Sequence, residues 1–371
     1  MKQRFKKHVA LTLISLMLLS LIGCGKPAST ETTTTTEATV TEAPAASISD
    51  AATTADSTPA DASEEGSDVQ TVYPVTVTDQ AGREVTIEKE PESIVSGYYI
   101  STSLLLALGL KDKVTGIEAK ADKRPIYKLA APEFLELPNV GTAKEFDLET
   151  CASLSPELVI LPMKLKDAAQ SLSELDIPVL LVNPESEDQL EQMIELVSTA
   201  TNTKGNADAL LSYIDEKKEM LEKDLSGVDA KSVYLAGNSS LLSTAGPAMY
   251  QSGLIELAGG KNAASEITDT YWAEISYEQL LAWDPSYIIL ASDAEYTPED
   301  VLNDENLKEC TAVKNGNVYA IPGDIEALDS PVPGGILASI WLAGILHPDQ
   351  ASADMYTEEK AAFYETFYGI K

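Results

Sequence analysis

The chain has 371 residues, with 59 acidic against 26 basic side chains, a formal net charge of -33 and two histidines. A surface this acidic excludes nucleic acid and peripheral contact with anionic lipid. So few imidazoles leave little means for histidine-based hydrolysis, with a Ser-His-acid triad open only around His347, and exclude a zinc or manganese ion held by several histidines; there is neither a Gly-x-Ser-x-Gly elbow nor a Gly-x-x-x-x-Gly-Lys-Ser/Thr phosphate loop.

Lys2, Arg4, Lys6 and Lys7 precede an apolar run over residues 9–22 that is too short for a comfortable spanning helix, so residues 1–23 read as a secretory signal. The run ends in Leu21-Ile22-Gly23-Cys24, which resembles a bacterial lipobox. That resemblance implies diacylation of the Cys24 thiol, and two or three acyl chains anchor a protein stably where one does not. Residues 24–68 then form a tether of Thr, Ala, Ser, Pro, Asp and Glu without an aromatic residue. Such a segment buries too little apolar surface to offset chain entropy, and as a flexible coil it spans about 35–40 Å.

The body begins with an alternating strand, Val75-Thr-Val-Thr-Asp79, a turn at Gln80-Ala-Gly82 and a returning strand, Arg83-Glu-Val-Thr-Ile87, which together predict a hairpin. A short strand over 93–97 leads through Tyr98 and Tyr99 into an apolar helix over 101–110, stopped by Gly109. A strand-to-helix turn of this kind is where open α/β sheets place ligands. Strands follow at 113–117 and 178–182, with a loop at 142–147, and the helix over 187–200 completes a first lobe, residues 69–203. The apolar residues Ala207, Leu210, Leu211, Ile214, Met220, Leu221 and Leu225 recur at helical spacing, and Gly227 stands at a C-terminal cap position, so the segment 204–227 reads as one long amphipathic helix.

The chain on either side of that helix repeats itself. Glu149-Thr-Cys-Ala-Ser-Leu-Ser-Pro-Glu-Leu-Val-Ile-Leu161 before it matches Glu278-Gln-Leu-Leu-Ala-Trp-Asp-Pro-Ser-Tyr-Ile-Ile-Leu290 after it, with Pro156 falling on Pro285. In each copy a short helix ends at a proline and feeds a buried strand. Two similar α/β lobes, the second being residues 228–371, are predicted to face each other across a cleft. The same offset sets Thr142 and Ala143 against Tyr271 and Trp272, so those two loops are expected to face each other. In the second lobe a strand over 232–237 ends at Asn238 and Ser239, residues 254–260 close a helix, and a late strand over 317–321 precedes a loop and two final helices. Cys151 and Cys310 fall in different halves without a Cys-x-x-Cys, so two buried thiols are expected. His347, before Pro348 at a helix end, is expected to cap carbonyls.

Further segments fall in a familiar order: Thr76-Val-Thr-Asp-Gln-Ala-Gly-Arg-Glu-Val-Thr-Ile87, Ala107-Leu-Gly-Leu-Lys-Asp-Lys-Val114, Leu137-Pro-Asn-Val-Gly141, Leu257-Ala-Gly-Gly-Lys-Asn262 and Asn315-Gly-Asn-Val-Tyr319. With them the chain resembles the solute-binding lipoproteins of ABC importers that serve iron-siderophore, haem and cobalamin uptake. The resemblance implies an α/β fold of two Rossmann-like lobes joined by a single long, rigid helix, the periplasmic-binding-protein type. It also implies small closing motions, a monomer, and delivery to a membrane permease driven by an ATPase. Where Asp329-Ser-Pro-Val-Pro333 resembles a family segment, Leu328 and Gly334 replace the Trp and Arg that many relatives carry.

A ligand that brings its own metal inside an organic chelate asks for stacking faces and hydrogen bonds, with no cofactor, catalytic residue or metal ligand of the protein's own. Tyr98, Tyr99, Tyr271 and Trp272 offer the faces, with Lys144, Met163, Lys164, Asn238, Ser239, Ser292, Asp329 and Ser330 around them. The body's two arginines, Arg83 and Arg124, lean the reading toward a neutral or weakly charged ligand, although Lys144 and Lys164 offer charge to an anion. A carboxylate-dependent surface hydrolase and an adhesin are the alternatives. Product release would mark the first, and silence toward small molecules the second.

Overall fold

A computed structural model describes residues 70–371; the signal, Cys24 and the tether lie outside the described residues. Strands β1 (Val75–Thr78) and β2 (Glu84–Ile87) form the hairpin, with Val75 opposite Ile87. Its turn is organised by Asp79, which accepts the N–H groups of Ala81 and Arg83 at 3.0 and 2.9 Å and pairs with the Arg83 guanidinium. Asp79 also accepts the Leu181 N–H at 3.0 Å, and Arg83 donates to the Val179 carbonyl at 2.8 Å, so this half-buried ion pair docks the hairpin onto the neighbouring sheet.

In chain order the first lobe runs β3 (Ile94–Ser96), α1 (Tyr99–Ala107), β4 (Val114–Gly116), α2 (Pro125–Ala130), α3 (Leu148–Ser153), β5 (Leu158–Pro162), α4 (Lys166–Ser173), β6 (Val179–Val182) and α5 (Glu187–Thr201). Its four strands are parallel in the order β4-β3-β5-β6, and every residue of β5 and β6 is buried, as expected of a sheet covered on both faces. Helix α6 (Lys204–Asp224) follows. Its buried residues Ala207, Leu210, Ile214, Lys217 and Leu221 lie on one stripe, and Lys217 is accommodated there by pairing with Glu359 at 2.9 Å.

The second lobe runs β7 (Lys231–Ala236), β8 (Ser243–Ala245), α7 (Tyr250–Leu257), β9 (Gly260–Asn262), β10 (Trp272–Glu274), α8 (Tyr277–Trp283), β11 (Tyr287–Leu290), α9 (Pro298–Leu302), α10 (Thr311–Asn315), β12 (Val318–Ala320), α11 (Ile336–Leu346) and α12 (Ala353–Tyr368). The order of its parallel sheet is β12-β11-β7-β9. Numbered within each lobe, both main sheets follow the order second, first, third, fourth. The repeat extends to the caps: Asp147 accepts the Thr150 N–H at 2.9 Å to start α3, and Ser276, at the equivalent position, accepts the Gln279 N–H at 3.2 Å to start α8. The fold is α/β, two Rossmann-like lobes joined by one long helix.

Two local expectations are corrected. The segment around Trp272, expected as a loop, is an antiparallel strand with Trp272 opposite Ala245. Gly237 makes the pairing feasible, since a Cβ there would lie 3.1 Å from the Trp272 ring. The helix expected to close at 260 ends at Leu257, because Gly259 takes φ +74 and Gly260 starts β9 beside β7. Cys151 and Cys310 are buried free thiols, and burial pushes the Cys151 thiol up to about 12. His347 is buried with its Nε2 2.9 Å from the Gly259 carbonyl, at the end of α7 rather than of its own helix. Among the described residues no helix is long and apolar enough to cross a membrane.

A second brace accompanies α6. Helix α12 packs on α11 of its own lobe and on α1 of the other. At that junction the Glu326 carboxylate accepts from Ser103 of α1 and, at 3.1 Å, from Tyr364 of α12, while the Ser103 and Tyr368 hydroxyls lie 2.9 Å apart. Burial pushes the Glu326 carboxyl from its ordinary 4.5 up to about 7, against the opposing pull of the Ser103 and Tyr364 hydroxyls and the Arg124 charge. Because the folded value lies above the unfolded one, stability from this group is fully present below pH 4.5 and is lost as pH rises through about 7. Thermal melts of the wild type are therefore expected to fall in Tm between about pH 5 and about pH 8. Glu326→Gln keeps the shape and can satisfy both hydroxyls, so it should flatten that fall; an equal slope in both proteins would refute the assignment.

Candidate functional site

The carboxyl ends of β3 and β5 are adjacent in the sheet, and the chain leaves them in opposite directions, so a crevice opens between. Gly97 follows β3 where a Cβ would come within 2.6 Å of Leu161 and 3.3 Å of Phe146, so glycine lets the strand turn against β5 without displacing those side chains. The turn is held by hydroxyls: Ser101 donates to the Tyr98 carbonyl at 2.8 Å, and Thr102 donates to buried Glu118 at 2.7 Å with its oxygen 2.8 Å from the Ser96 hydroxyl. Tyr127 donates to the same Glu118 at 2.6 Å. This network fixes extended Tyr98 ahead of α1, whose N-terminus carries no side-chain cap.

The crevice holds a hollow of about 540 Å³, lined by Tyr98, Met163, Lys164, Lys166, Asn183 and Glu185, with Ala143, Pro162 and Val182 completing the wall. Burial pushes the Tyr98 phenol far above its ordinary value, and the Glu185 carboxylate adds to the shift, so the hydroxyl keeps its proton. An aromatic face, a thioether, an amide, two ammonium groups and one carboxylate can clasp an organic molecule; they form no catalytic array. Among the described residues no group of three or more His, Cys, Asp or Glu side chains is placed to hold a metal ion.

Tyr99 points elsewhere. Its ring stands edge-on to Tyr98, with centroids 5.4 Å apart, and the Arg124 guanidinium lies over it at 4.0 Å. Its hydroxyl donates to Ser330 of the second lobe at 2.7 Å. Arg124 also approaches Asp293 at 3.9 Å, and the Ile126 N–H donates to the Ile325 carbonyl at 3.1 Å. Buried Asp329 accepts from the Ser292 hydroxyl and, at 3.3 Å, from its N–H, while its carbonyl takes the Gln251 amide at 2.8 Å. Tyr99, Ser292, Asp329 and Ser330 are thus brought together as a seam between the lobes.

The sequence-derived candidates therefore divide into three groups. Tyr98, Met163 and Lys164 share the hollow; Tyr99, Ser292, Asp329 and Ser330 share the seam. Lys144 is exposed in the turn 142–145 beside Ala143, Asn238 and Ser239 are exposed beyond β7, and Tyr271 and Trp272 are 56% and 39% exposed; none of these five lines the hollow. Sequence reasoning missed Lys166, Asn183 and Glu185. The switch-point argument applied to the ends of the strands at 158–162 and 178–182 would have reached all three. The departures at 328 and 334 have a packing cause. Leu328 is buried, and a Cβ at Gly334 would lie 3.1 Å from both Glu326 Oε2 and the Phe363 ring, so a larger residue there would require those side chains to shift.

The family model described as periplasmic binding protein matches residues 94–325. An uncharacterized ABC transporter substrate-binding lipoprotein, YvrC, of Bacillus subtilis strain 168 is 29% identical over 287 residues, covering 74% of this chain and 86% of that one. The molybdate-binding protein MolA of Haemophilus influenzae is 24% identical over 319 residues, covering 79% and 90%. The crystal structure of a periplasmic solute binding protein from Veillonella parvula superposes with a TM-score of 0.71 at 26% identity, covering 80% of this chain and 93% of that one. These are binding proteins rather than enzymes. By fold, by switch-point hollow and by the match over most of its body, this chain belongs to the periplasmic binding protein family.

Proposed function

We propose that the chain is the extracytoplasmic substrate-binding lipoprotein of an ABC importer, capturing a metal chelate such as an iron-siderophore, haem or a corrinoid and delivering it to a permease and its ATPase. The observation that carries this reading is the hollow of about 540 Å³ at the switch point, with Tyr98 and Met163 in its wall. That volume lies in the range of small-molecule sites, roughly 300–1,000 Å³. The relative's designation as a substrate-binding lipoprotein supports both the importer and the anchor, and the Leu21-Ile22-Gly23-Cys24 tetrapeptide supports acylation at Cys24. Tyr271 and Trp272 are the aromatic faces that the second lobe offers to the opposite side of a ligand, and the protein works as a monomer.

Titration with a ferric siderophore, haemin and cyanocobalamin, read by tryptophan fluorescence and by melting temperature, tests the reading. One of them is expected to saturate one-to-one and to raise Tm with the logarithm of its excess, without turnover. Product release would favour a hydrolase instead, and no response to any would remove the carrier reading. Tyr98→Ala is expected to weaken the responding ligand roughly tenfold, corresponding to loss of a stacking contact. Trp272→Ala should cost less. For the anchor, Cys24→Ser is expected to move the protein from the membrane fraction to the soluble one; retention in the membrane would refute acylation at that residue.

A further inference from the structure

Where the two lobes cross, the Ile126 N–H of the first donates to the Ile325 carbonyl of the second at 3.1 Å. Arg124 stands two residues before that crossing and Glu326 one residue after its partner. Both line a small cavity of about 30 Å³ in the seam, together with Tyr99 and Ser103 of α1, Lys123 and Asp293. A polar cavity of this size has room for about one water. The two side chains are unequally provided for. Among the described residues Glu326 takes its hydrogen bonds from hydroxyls alone, those of Ser103 and Tyr364, so its charge meets no bonded cation. Tyr364 and Tyr368 of α12 and Tyr250 of α7 are kept protonated by burial, and Asp329 on the same loop and Glu118 behind Tyr127 are acids that burial raises, so none of these supplies positive charge. Lys360 is taken by Asp324 at 2.5 Å, and Lys123, 76% exposed, pairs with Asp122 at 3.4 Å. Arg124 is the cation left. None of its guanidinium N–H groups makes a hydrogen bond among the described residues, and its two contacts, the Tyr99 face at 4.0 Å and Asp293 at 3.9 Å, are of the weak, partly exposed kind. Its charge already pulls the Glu326 carboxyl down against the effect of burial.

We propose that Arg124 and Glu326 form a proton-controlled latch between the lobes. With Glu326 neutral, the guanidinium rests at the mouth of the cavity on Tyr99 and Asp293. When Glu326 gives up its proton, which passes by way of the cavity to solvent, the guanidinium turns inward and pairs with the carboxylate through the water between them. Leaving an exposed partner such as Asp293 costs little, whereas a buried carboxylate without a counter-charge is costly. The latch ties a first-lobe cation to a second-lobe acid, so the firmness of the joint follows the surrounding pH. It goes beyond the importer reading and holds whatever the hollow carries.

Melting temperature followed against pH in the full chain, without ligand, tests the latch. The wild-type fall in Tm is expected to level off once Glu326 has titrated, and removing a nearby opposite charge raises a carboxyl by roughly one pH unit. In Arg124→Gln the fall should therefore continue about one pH unit further before levelling. Arg124→Lys keeps the charge and should restore most of the wild-type profile, and Lys123→Gln, on the same cavity wall, should run parallel to wild type. In the Glu326→Gln background, Arg124→Gln should shift the whole curve by a constant amount, because the acid it serves is gone. A cooperative melt at pH 5, where the latch is open, verifies the fold of each variant. An Arg124→Gln profile parallel to that of the wild type overturns the latch. So does an extended fall that persists in the Glu326→Gln background, which would give the charge to another acid such as Glu118 or Asp329, or one that Lys123→Gln reproduces, which would make it a general field. None of these outcomes bears on the importer reading, which the ligand titrations test separately.

Discussion

One apolar cluster runs from Ile94, Leu104 and Ile160 of the first lobe through Leu210 and Ile214 of α6 to Leu235, Ile289 and Ile340 of the second, and such non-directional packing leaves the setting of the lobes to the buried polar joint between them. At its centre is Glu326, a carboxyl in the second lobe whose acceptors are filled from α1 of the first lobe and from α12. A buried acid is costly unless its oxygens are hydrogen-bonded. Meeting that demand fixes Ser103, and with it α1, whose first residue Tyr99 reaches across to Ser330. Tyr98, one residue earlier, is the wall of the hollow. Lobe geometry and the wall of the hollow thus share a single helix.

The duplication sets what each half supplies. The equivalent caps at Asp147 and Ser276 start equivalent helices that feed equivalent central strands. The halves differ beyond their third and first strands. The first lobe leaves a concave crevice between β3 and β5, whereas the second inserts the β8–β10 ribbon, whose Trp272 packs over Gly237 at the carboxyl end of β7. The first copy therefore carries the hollow, and the second exposes Tyr271 and Trp272 at its ribbon.

Much of this was legible because it depends on near neighbours in the chain. The hairpin, the strand run 158–162, α5 and α6 follow from alternation, apolar runs and 3.6-residue spacing. The offset between Pro156 and Pro285 was enough to expose the duplication. What was missed is short or distant. Strands β8, β9 and β10, of three residues each, read Ser-Thr-Ala, Gly-Lys-Asn and Trp-Ala-Glu, without the apolar run that marks the equally short β3. The partners of Tyr99 and Asp329 stand 231 and 37 residues away, so nothing local distinguishes a tyrosine aimed at the seam from one aimed at the crevice. Tyr98 and Tyr99 looked alike as sequence; the strand-to-helix turn sends them to different tasks.

The course of α12 has a consequence for biogenesis. Tyr368, in its last turn, completes the hydroxyl cluster against Ser103, 265 positions upstream. A chain emerging amino-end first can assemble the first sheet early, yet the joint stays open until Tyr368 has been made. Until that residue is made the two lobes lack their polar lock, and a chain without it is more easily pulled apart than one in which it has closed.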